Sequence, residues 1–299
     1  MDVSVRQARE DDSEAVAAFT ADTWDDRAER DYVPDVFLDW VESDGPDQRT
    51  VVADVDGDVG GLCQAVMCSD HEAWLQGMRV NPDYRQAGLG LRMVEHLFEW
   101  AGRHGGTVAR NMVFSWNDAG LGQSLAAGFE PATSFRWAEP APRAGQPDLP
   151  VESDPAAAWD YWTDSDARRI LGGLTLDDGR SWALSELTRD ALHRLADDQQ
   201  VFAVGREETC GMGCRVRTTE SEESTIAEYA IGAWDDTDAA AALFTAIRAD
   251  AAGLGVESTR VLIPETPRHV AQAAFVRADT SDWPTFVTAA DLTDDESSD

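Results

Sequence analysis

The chain has 299 residues, 43% of them hydrophobic, enough to pack more than one core and about right for two domains. Its 57 acidic residues stand against 24 basic ones, all arginine, for a net charge of −33. Such a surface repels nucleic acid and anionic membranes. The acids are spread over the whole chain, which reads as adaptation to high salt rather than as a dock for a polycation. No apolar run is long enough to span a membrane, and MDVSVRQAREDD lacks the apolar core of a signal peptide, so a cytoplasmic protein is expected.

The first half alternates strands and helices. Val3 to Ala8 alternates apolar and polar residues and predicts a strand. Glu10 to Ser13 opens a helix through Trp24, and Pro34 to Trp40 begins another. Thr50 to Val55 and Val59 to Met67 are strands joined by the hairpin signal Asp56-Gly57. The loop Ser69-Asp70-His71-Glu72 leads into the strand Trp74 to Val80, which ends in the turn Asn81-Pro82-Asp83. The segment Arg85-Gln86-Ala87-Gly88-Leu89-Gly90 follows. Then Leu89, Met93, Val94, Leu97, Phe98 and Ala101 mark one face of a helix that His104-Gly105-Gly106 closes. Thr107 to Phe114 is a strand, Ala119 to Ala127 a short helix, and Phe129 to Trp137 a strand.

Strand, turn, glycines and helix together make an anion site. The first N–H groups of a helix lack internal partners and lie at its positive end. Glycine lets a phosphate approach them without meeting a Cβ. Gly88 and Gly90 are the positions of closest approach, with Arg85 at the rim. The pattern is neither G-x-G-x-x-G nor a Walker motif, and the chain contains no lysine.

The run RVNPDYRQAGLG resembles the acetyl-CoA motif of the GCN5-related N-acetyltransferases (GNAT), [RQ]-x-x-G-x-[GA], set between the fourth strand and the next helix. NDAGLGQSLAAGF, from Asn117 to Phe129, resembles that family's next signature, so the likeness spans roughly residues 1 to 138. The resemblance implies acetyl-CoA as cosubstrate, without a metal. It implies that the main chain of Met78 and Val80 bonds the pantetheine arm. The amides of Gln86, Ala87, Gly88, Leu89 and Gly90 would cradle the pyrophosphate, and Asn117 joins the cofactor site.

Residues 139 to 158 hold five prolines in twenty and read as a linker. Beyond it, helix-forming and turn residues run from Trp159 to Leu174, and Leu187 to Leu195 is helical. Strands are expected at Gln200 to Gly205, Gly211 to Arg217, Thr225 to Ala233, Val256 to Ile263 and Trp283 to Val287. Helices are expected at Asp238 to Ala252 and Pro267 to Ala274, with an acidic, disordered tail from Asp291 to Asp299. Aligning Gly106 with Gly255 and Gly128-Phe129 with Ala274-Phe275 exposes a weak internal repeat. Arg85 to Gly90 then falls on Thr237 to Ala242, where the glycines are gone.

The expected fold class is therefore α/β (α+β): two tandem GNAT-like domains, each a mixed, mostly antiparallel central sheet flanked by helices. The expected bounds are 1–138 for the acetyltransferase domain and 159–290 for a degenerate second one. The expected function is N-acetyl transfer from acetyl-CoA to a primary amine of a small molecule or peptide, by a monomer or homodimer. The alternative is a non-catalytic acyl-CoA-binding protein. Where the resemblance implies a basic glutamate the chain has Gln76 and Gly77, which cannot serve, so Glu72, with Asp70 and His71, is the candidate base acting through water. The implied tyrosine acid is Ser124, a far weaker acid that can still hydrogen-bond a thiolate. Trp24, Asp25 and Tyr32 are the candidate acceptor residues. Trp159, Trp162 and Trp182 are read as core in preference to the lining of a cleft between domains, and His193 and His269 as surface or capping residues. Cys63 and Cys68 are read as small buried hydrophobes, and Cys210-Gly-Met-Gly-Cys214 as a hairpin turn rather than a metal pair.

Overall fold

The computed structural model describes residues 2–21, 23, 31–198, 200–220 and 224–293. They form two compact units. The first takes residues 1–113, 117–131 and 288–299, and the second takes 114–116 and 132–287.

In the first unit, β1 (Val3–Gln7) precedes α1 (Ser13–Thr20) and α2 (Val33–Ser43). Then come β2 (Gln48–Val55), β3 (Asp58–Met67) and β4 (Glu72–Val80), followed by α3 (Leu89–Arg103), β5 (Val108–Phe114) and α4 (Asp118–Ala126). The sheet runs in the order β1, β2, β3, β4, β5, antiparallel except for the β4–β5 pair. Asp56 and Gly57 both take positive φ in the β2–β3 turn, as their sequence predicts. Strand alternation divides the core. Val51, Ala53, Val55, Cys63 and Ala65 pack with Met93, Val94 and Leu97 of α3, while Val52 and Leu62 pack on the other face with Val16 and Phe37 of α1 and α2. Trp100 joins the buried face of α3, and Phe98 packs beside it partly covered.

In the second unit, β6 (Glu130–Glu139) is followed by β7 (Val151–Glu152), α5 (Pro155–Asp164), α6 (Asp166–Leu171) and the hairpin β8 (Leu174–Leu176) and β9 (Leu184–Glu186). Next are α7 (Arg189–Asp197), β10 (Val201–Gly205), β11 (Thr209–Glu220), β12 (Thr225–Trp234) and α8 (Thr237–Leu254). The unit closes with β13 (Ser258–Pro264), α9 (Pro267–Phe275), β14 (Asp279–Thr280) and the start of β15 (Thr285–Asp291). Its sheet runs β6, β13, β12, β11, β10, β7, with β12 and β13 parallel. Leu243, Phe244 and Ile247 of α8 are fully buried against it, as their spacing predicts.

The units part differently from the expected bounds. From Ala132 onward β6 belongs to the second unit, where Trp137 pairs with Leu262 of β13. Residues 288–293 lie in the first unit, where Leu292 N–H donates to Thr107 O at 2.9 Å. The proline-rich stretch is no bare linker either, since β7 pairs with β10. Asp291 ends a strand, and the tail beyond residue 293 lies outside the described residues. The Cys210–Cys214 segment runs along β11, so the expected turn there is corrected to a strand. Cys63, Cys210 and Cys214 are buried free thiols and Cys68 is half-buried. Burial pushes the Cys63 and Cys214 thiols up to about 12. No helix among the described residues is long and apolar enough to cross a membrane.

Candidate active site

The site is built where β4 and β5 part. They pair in parallel only at Glu72–Val108, Ala73–Ala109 and Trp74–Arg110. Beyond Trp74 the edge of β4 has no strand beside it among the described residues. Asn81 N–H donates to Gly60 O of β3 at 2.9 Å, so by alternation Arg79 faces β3 while the amides of Met78 and Val80 face the open fork. Those are the two residues singled out from the sequence.

A bulge bends β4 at the same place. Gln64 faces Gln76 and Leu62 faces Arg79, leaving Gly77 and Met78 opposite Cys63 alone. Gly77 has φ +66°, and a Cβ on it would lie 2.6 Å from the Trp40 ring, so only glycine fits. Tyr32 stands edge-on to Trp40 at 6.2 Å between ring centroids, and the Arg79 guanidinium lies 5.6 Å from the Tyr32 ring. Arg79 is in turn bound to the buried Asp31 at 2.7 Å. Tyr32 is thus beside the bulge, while Trp24 and Asp25 lie outside the described residues.

The loop after β4 is held by its apolar residues. Met78, Val80, Tyr84 and Ala87 pack onto the core, Leu89 is fully buried, and Arg85, Gln86 and Gly88 remain exposed. Asn81 Oδ1 accepts from Asp83 N–H at 3.0 Å and sets the turn. Gln86 and Gly88 take left-handed φ of +67° and +74°, and Gly88 caps α3. The first bond of that helix is Arg92 N–H to Gly88 O at 3.2 Å. The amides of Leu89, Gly90 and Leu91 therefore have no acceptor within it. Gly90 is needed for another reason than the sequence suggested: a Cβ there would collide with the Gln123 amide of α4. Gln123 Nε2 is buried beside this helix start, with no hydrogen-bond partner among the described residues.

α4 carries the next residues. Asn117 caps it, its Oδ1 accepting from Gly120 N–H at 3.0 Å. Ser124 is buried, and its Oγ accepts from Asn111 Nδ2 of β5 at 3.2 Å. Asn111 Oδ1 accepts from Thr288 Oγ at 2.6 Å. Asn111 is the first residue of β5 past the fork, so Ser124 is tied to its mouth.

Glu72 is corrected. It begins β4 as a buried carboxylate bound by Arg110, with Ser69 Oγ donating at 3.0 Å. Gln76 lies four residues further along the strand, about 13 Å away. Asp70 and His71 sit at the same end, before β4 begins. No described carboxylate bonds Gln76.

The second unit has the same frame without the cradle. The eight residues between β4 and α3 shrink to Asp235 and Asp236 between β12 and α8. Asp236 accepts from the amides of Asp238 and Ala239 at 3.0 and 2.9 Å, where an anion would otherwise sit. Arg206 and those amides hold its carboxyl down to about 2, so it stays charged. Trp234 fills the end of β12, packed on Phe244 and His269 and bound to Gln272 Oε1 at 2.8 Å. His269 is buried rather than superficial, and burial, helped by Arg268, lowers its pKa to about 4. His193 is exposed. Trp162 is core as expected, but Trp182 is 40% exposed and stacks on Arg260. Strand starts align Arg110 with Arg260, one residue off the register read from the glycines. Among the described residues no cluster could hold a metal ion.

Sequence reasoning missed Gln123, Asn111 and Thr288. Gln123 adjoins Ser124 and could have been tested as a neighbour. Thr288 lies 177 residues from Asn111, and no local pattern announces such a contact.

The comparisons agree with this frame. Residues 11–121 match the acetyltransferase (GNAT) family. That match lies within the first half of the chain. None of the curated protein sequences matches. Among solved structures, a GCN5-related N-acetyltransferase from Sphaerobacter thermophilus is 13% identical with a TM-score of 0.64, covering 97% of this chain and 96% of that one. A GCN5-related N-acetyltransferase from Anabaena variabilis is 10% identical with a TM-score of 0.50, covering 97% and 73%. Both show that the fold of the family extends over both halves.

Proposed function

We propose that the protein is an N-acetyltransferase that moves an acetyl group from acetyl-CoA to a primary amine of a small molecule or peptide, using the first unit alone. The observation that carries this is the open edge of β4 beside a helix start whose amides and neighbouring Gln123 Nε2 lack partners among the described residues. These are donors on one side of a fork, which fits an anionic thioester with an amide-bearing arm. Met78 and Val80 would hold the arm through their main chain. The amides of Gln86 to Gly90, with Arg85 and Gln123, would hold the pyrophosphate. When bound, the thioester supplies an activated acyl group and a sulfur leaving group. In the transfer the amine nitrogen bonds the carbonyl carbon, the C–S bond breaks, the sulfur keeps the electron pair, and the proton from nitrogen passes to water.

Asn111 donates to Ser124 Oγ, so the Ser124 hydrogen is left to point elsewhere. It serves as a hydrogen-bond donor to the developing thiolate and keeps its own proton, since a serine hydroxyl is a weak acid. No residue is assigned as general base, so orientation carries most of the rate. The test is calorimetry with acetyl-CoA followed by thiol release with a panel of primary amines, in molar salt. One site per chain and amine-dependent release are expected. Binding without release would favour the non-catalytic alternative, and two equivalent sites would refute the assignment to one unit.

A further inference from the structure

A row of polar side chains crosses the core of the first unit and ends at the bulge. Thr50, Gln64 and Gln76 are directly opposite one another on β2, β3 and β4. Gln76 Nε2 donates to Gln64 Oε1 at 2.6 Å, and Gln64 Nε2 donates to Thr50 Oγ1 at 3.0 Å. Thr50 Oγ1 donates to Asp44 Oδ1 at 2.9 Å, and Thr50 N–H donates to the same carboxylate. Gln7 Nε2 also donates to it, at 3.0 Å. Gln64 and Thr50 are fully buried. Asp44 follows the last turn of α2.

The carboxylate fixes the sense of the whole row. An ionised carboxylate only accepts, so the Thr50 hydroxyl must give Asp44 its hydrogen. Thr50 oxygen then accepts, so Gln64 must turn its NH2 toward Thr50 and its carbonyl toward Gln76. Gln76 must answer with its NH2. Its Oε1 therefore points away from the row, and nothing among the described residues bonds it. Each bond polarises the next, which makes that oxygen a better acceptor. Gln76 is half-buried and immediately precedes the Gly77 bulge. It is even-numbered like Leu62, Gln64 and Thr50 in this ladder, on the sheet face that packs against α1 and α2.

We propose that Gln76 is the residue that receives the acceptor amine, its carbonyl oxygen taking an N–H of the incoming nucleophile, with Asp44, Gln64 and Thr50 as positioning residues that hold that oxygen outward. This rests on the acetyl-transfer reading and deepens it. The row selects a hydrogen-bond donor such as an amine, because it meets an oxyanion or other pure acceptor with an oxygen. An amide oxygen cannot take the proton, so the amine must arrive neutral. A lone buried amide would be free to present either end; the carboxylate removes that freedom.

The test uses the full chain with acetyl-CoA and whichever of an alkylamine, a polyamine or a peptide N-terminus the wild type acetylates. Thr50→Val removes the hydroxyl that reads the carboxylate, and Asp44→Asn gives the row an end that can donate. Each is expected to raise KM for the amine about ten-fold or more, the loss of one or two oriented hydrogen bonds, while kcat and the acetyl-CoA Kd stay near wild type. Thr50→Ser keeps the hydroxyl and is expected to restore KM. In a Gln76→Leu background, Thr50→Val should add nothing further. The Thr50→Val and Thr50→Ser pair decides the matter if Asp44→Asn fails to fold by circular dichroism. A folded Thr50→Val protein with wild-type KM would overturn the proposal, as would a parallel loss of acetyl-CoA affinity or an additive double variant. A wild type that binds acetyl-CoA but acetylates none of the amines refutes the transfer reading itself, a separate result.

Discussion

In the proposed reaction, two residues of the first unit matter in different ways. Gly88 sits at φ +74° with nothing among the described residues within 4 Å of where a Cβ would be, so its glycine is required by backbone conformation rather than by crowding. Gly88→Val should cost about 1–2 kcal/mol of strain at the start of α3 and weaken acetyl-CoA binding roughly ten-fold as the amides turn away. Titration calorimetry beside circular dichroism would show it, and equal affinities would remove the loop from the cradle. Ser124 is held by Asn111 at 3.2 Å and has one hydrogen to give. Ser124→Ala should lower kcat about ten-fold or more, with the acetyl-CoA Kd unchanged. A kcat equal to wild type would leave the leaving sulfur to water alone. The glycine was legible in the sequence because few residues accept that φ. The serine was legible only through its place in a motif, and the asparagine behind it was not legible at all.

Among the elements, β4 carries most of the meaning. Its apolar residues and the turn after it were readable, and so was the helix that follows, since α3 buries the face its spacing marks. Its bulge was not readable: Gly77 needs the distant Trp40 ring to explain it. Its first residue was misread, because an acid at the end of a loop looks available until Arg110 is found beside it. The two side chains are almost wholly buried. Glu72→Ala should therefore lower stability by about 3–5 kcal/mol, the usual cost of stranding a buried partner. The same variant should keep a kcat within a few-fold of wild type when assayed well below its urea midpoint. A collapse of kcat without a loss of stability would return Glu72 to the chemistry. The partition of β6 and β15 was also hidden, since local order says which strands form but not which sheet receives them.

For the whole molecule, charge sets the conditions. With 57 acidic residues and a net charge of −33, self-repulsion grows as salt is withdrawn. The melting temperature should fall between molar and millimolar salt; an unchanged value would contradict the reading of the composition. A second dependence runs through His269, buried and held neutral with a pKa lowered to about 4. The unfolded chain binds that proton near pH 6.5 and the folded chain does not, so stability is full above pH 6.5 and is lost as pH falls toward 4. The loss approaches about 3 kcal/mol. Acid also relieves the surface repulsion, so the two effects oppose each other. The measurement is the difference between wild type and His269→Gln in urea unfolding at pH 7 and pH 4.5. The variant should lose less on acidification, and equal losses would refute the assignment.

Thr288 closes the hydrogen-bonded line to Ser124, and Leu292 bonds Thr107, yet both are translated after every residue of the second unit. On the ribosome, the first unit emerges with β5 lacking residues that belong beside it. It must wait while more than half of the polypeptide is synthesised. During that interval an unpaired strand edge is available to other nascent chains. Completion of the first unit is thereby timed by synthesis of the second, and a message cut short before codon 288 yields a first unit that cannot finish its own sheet.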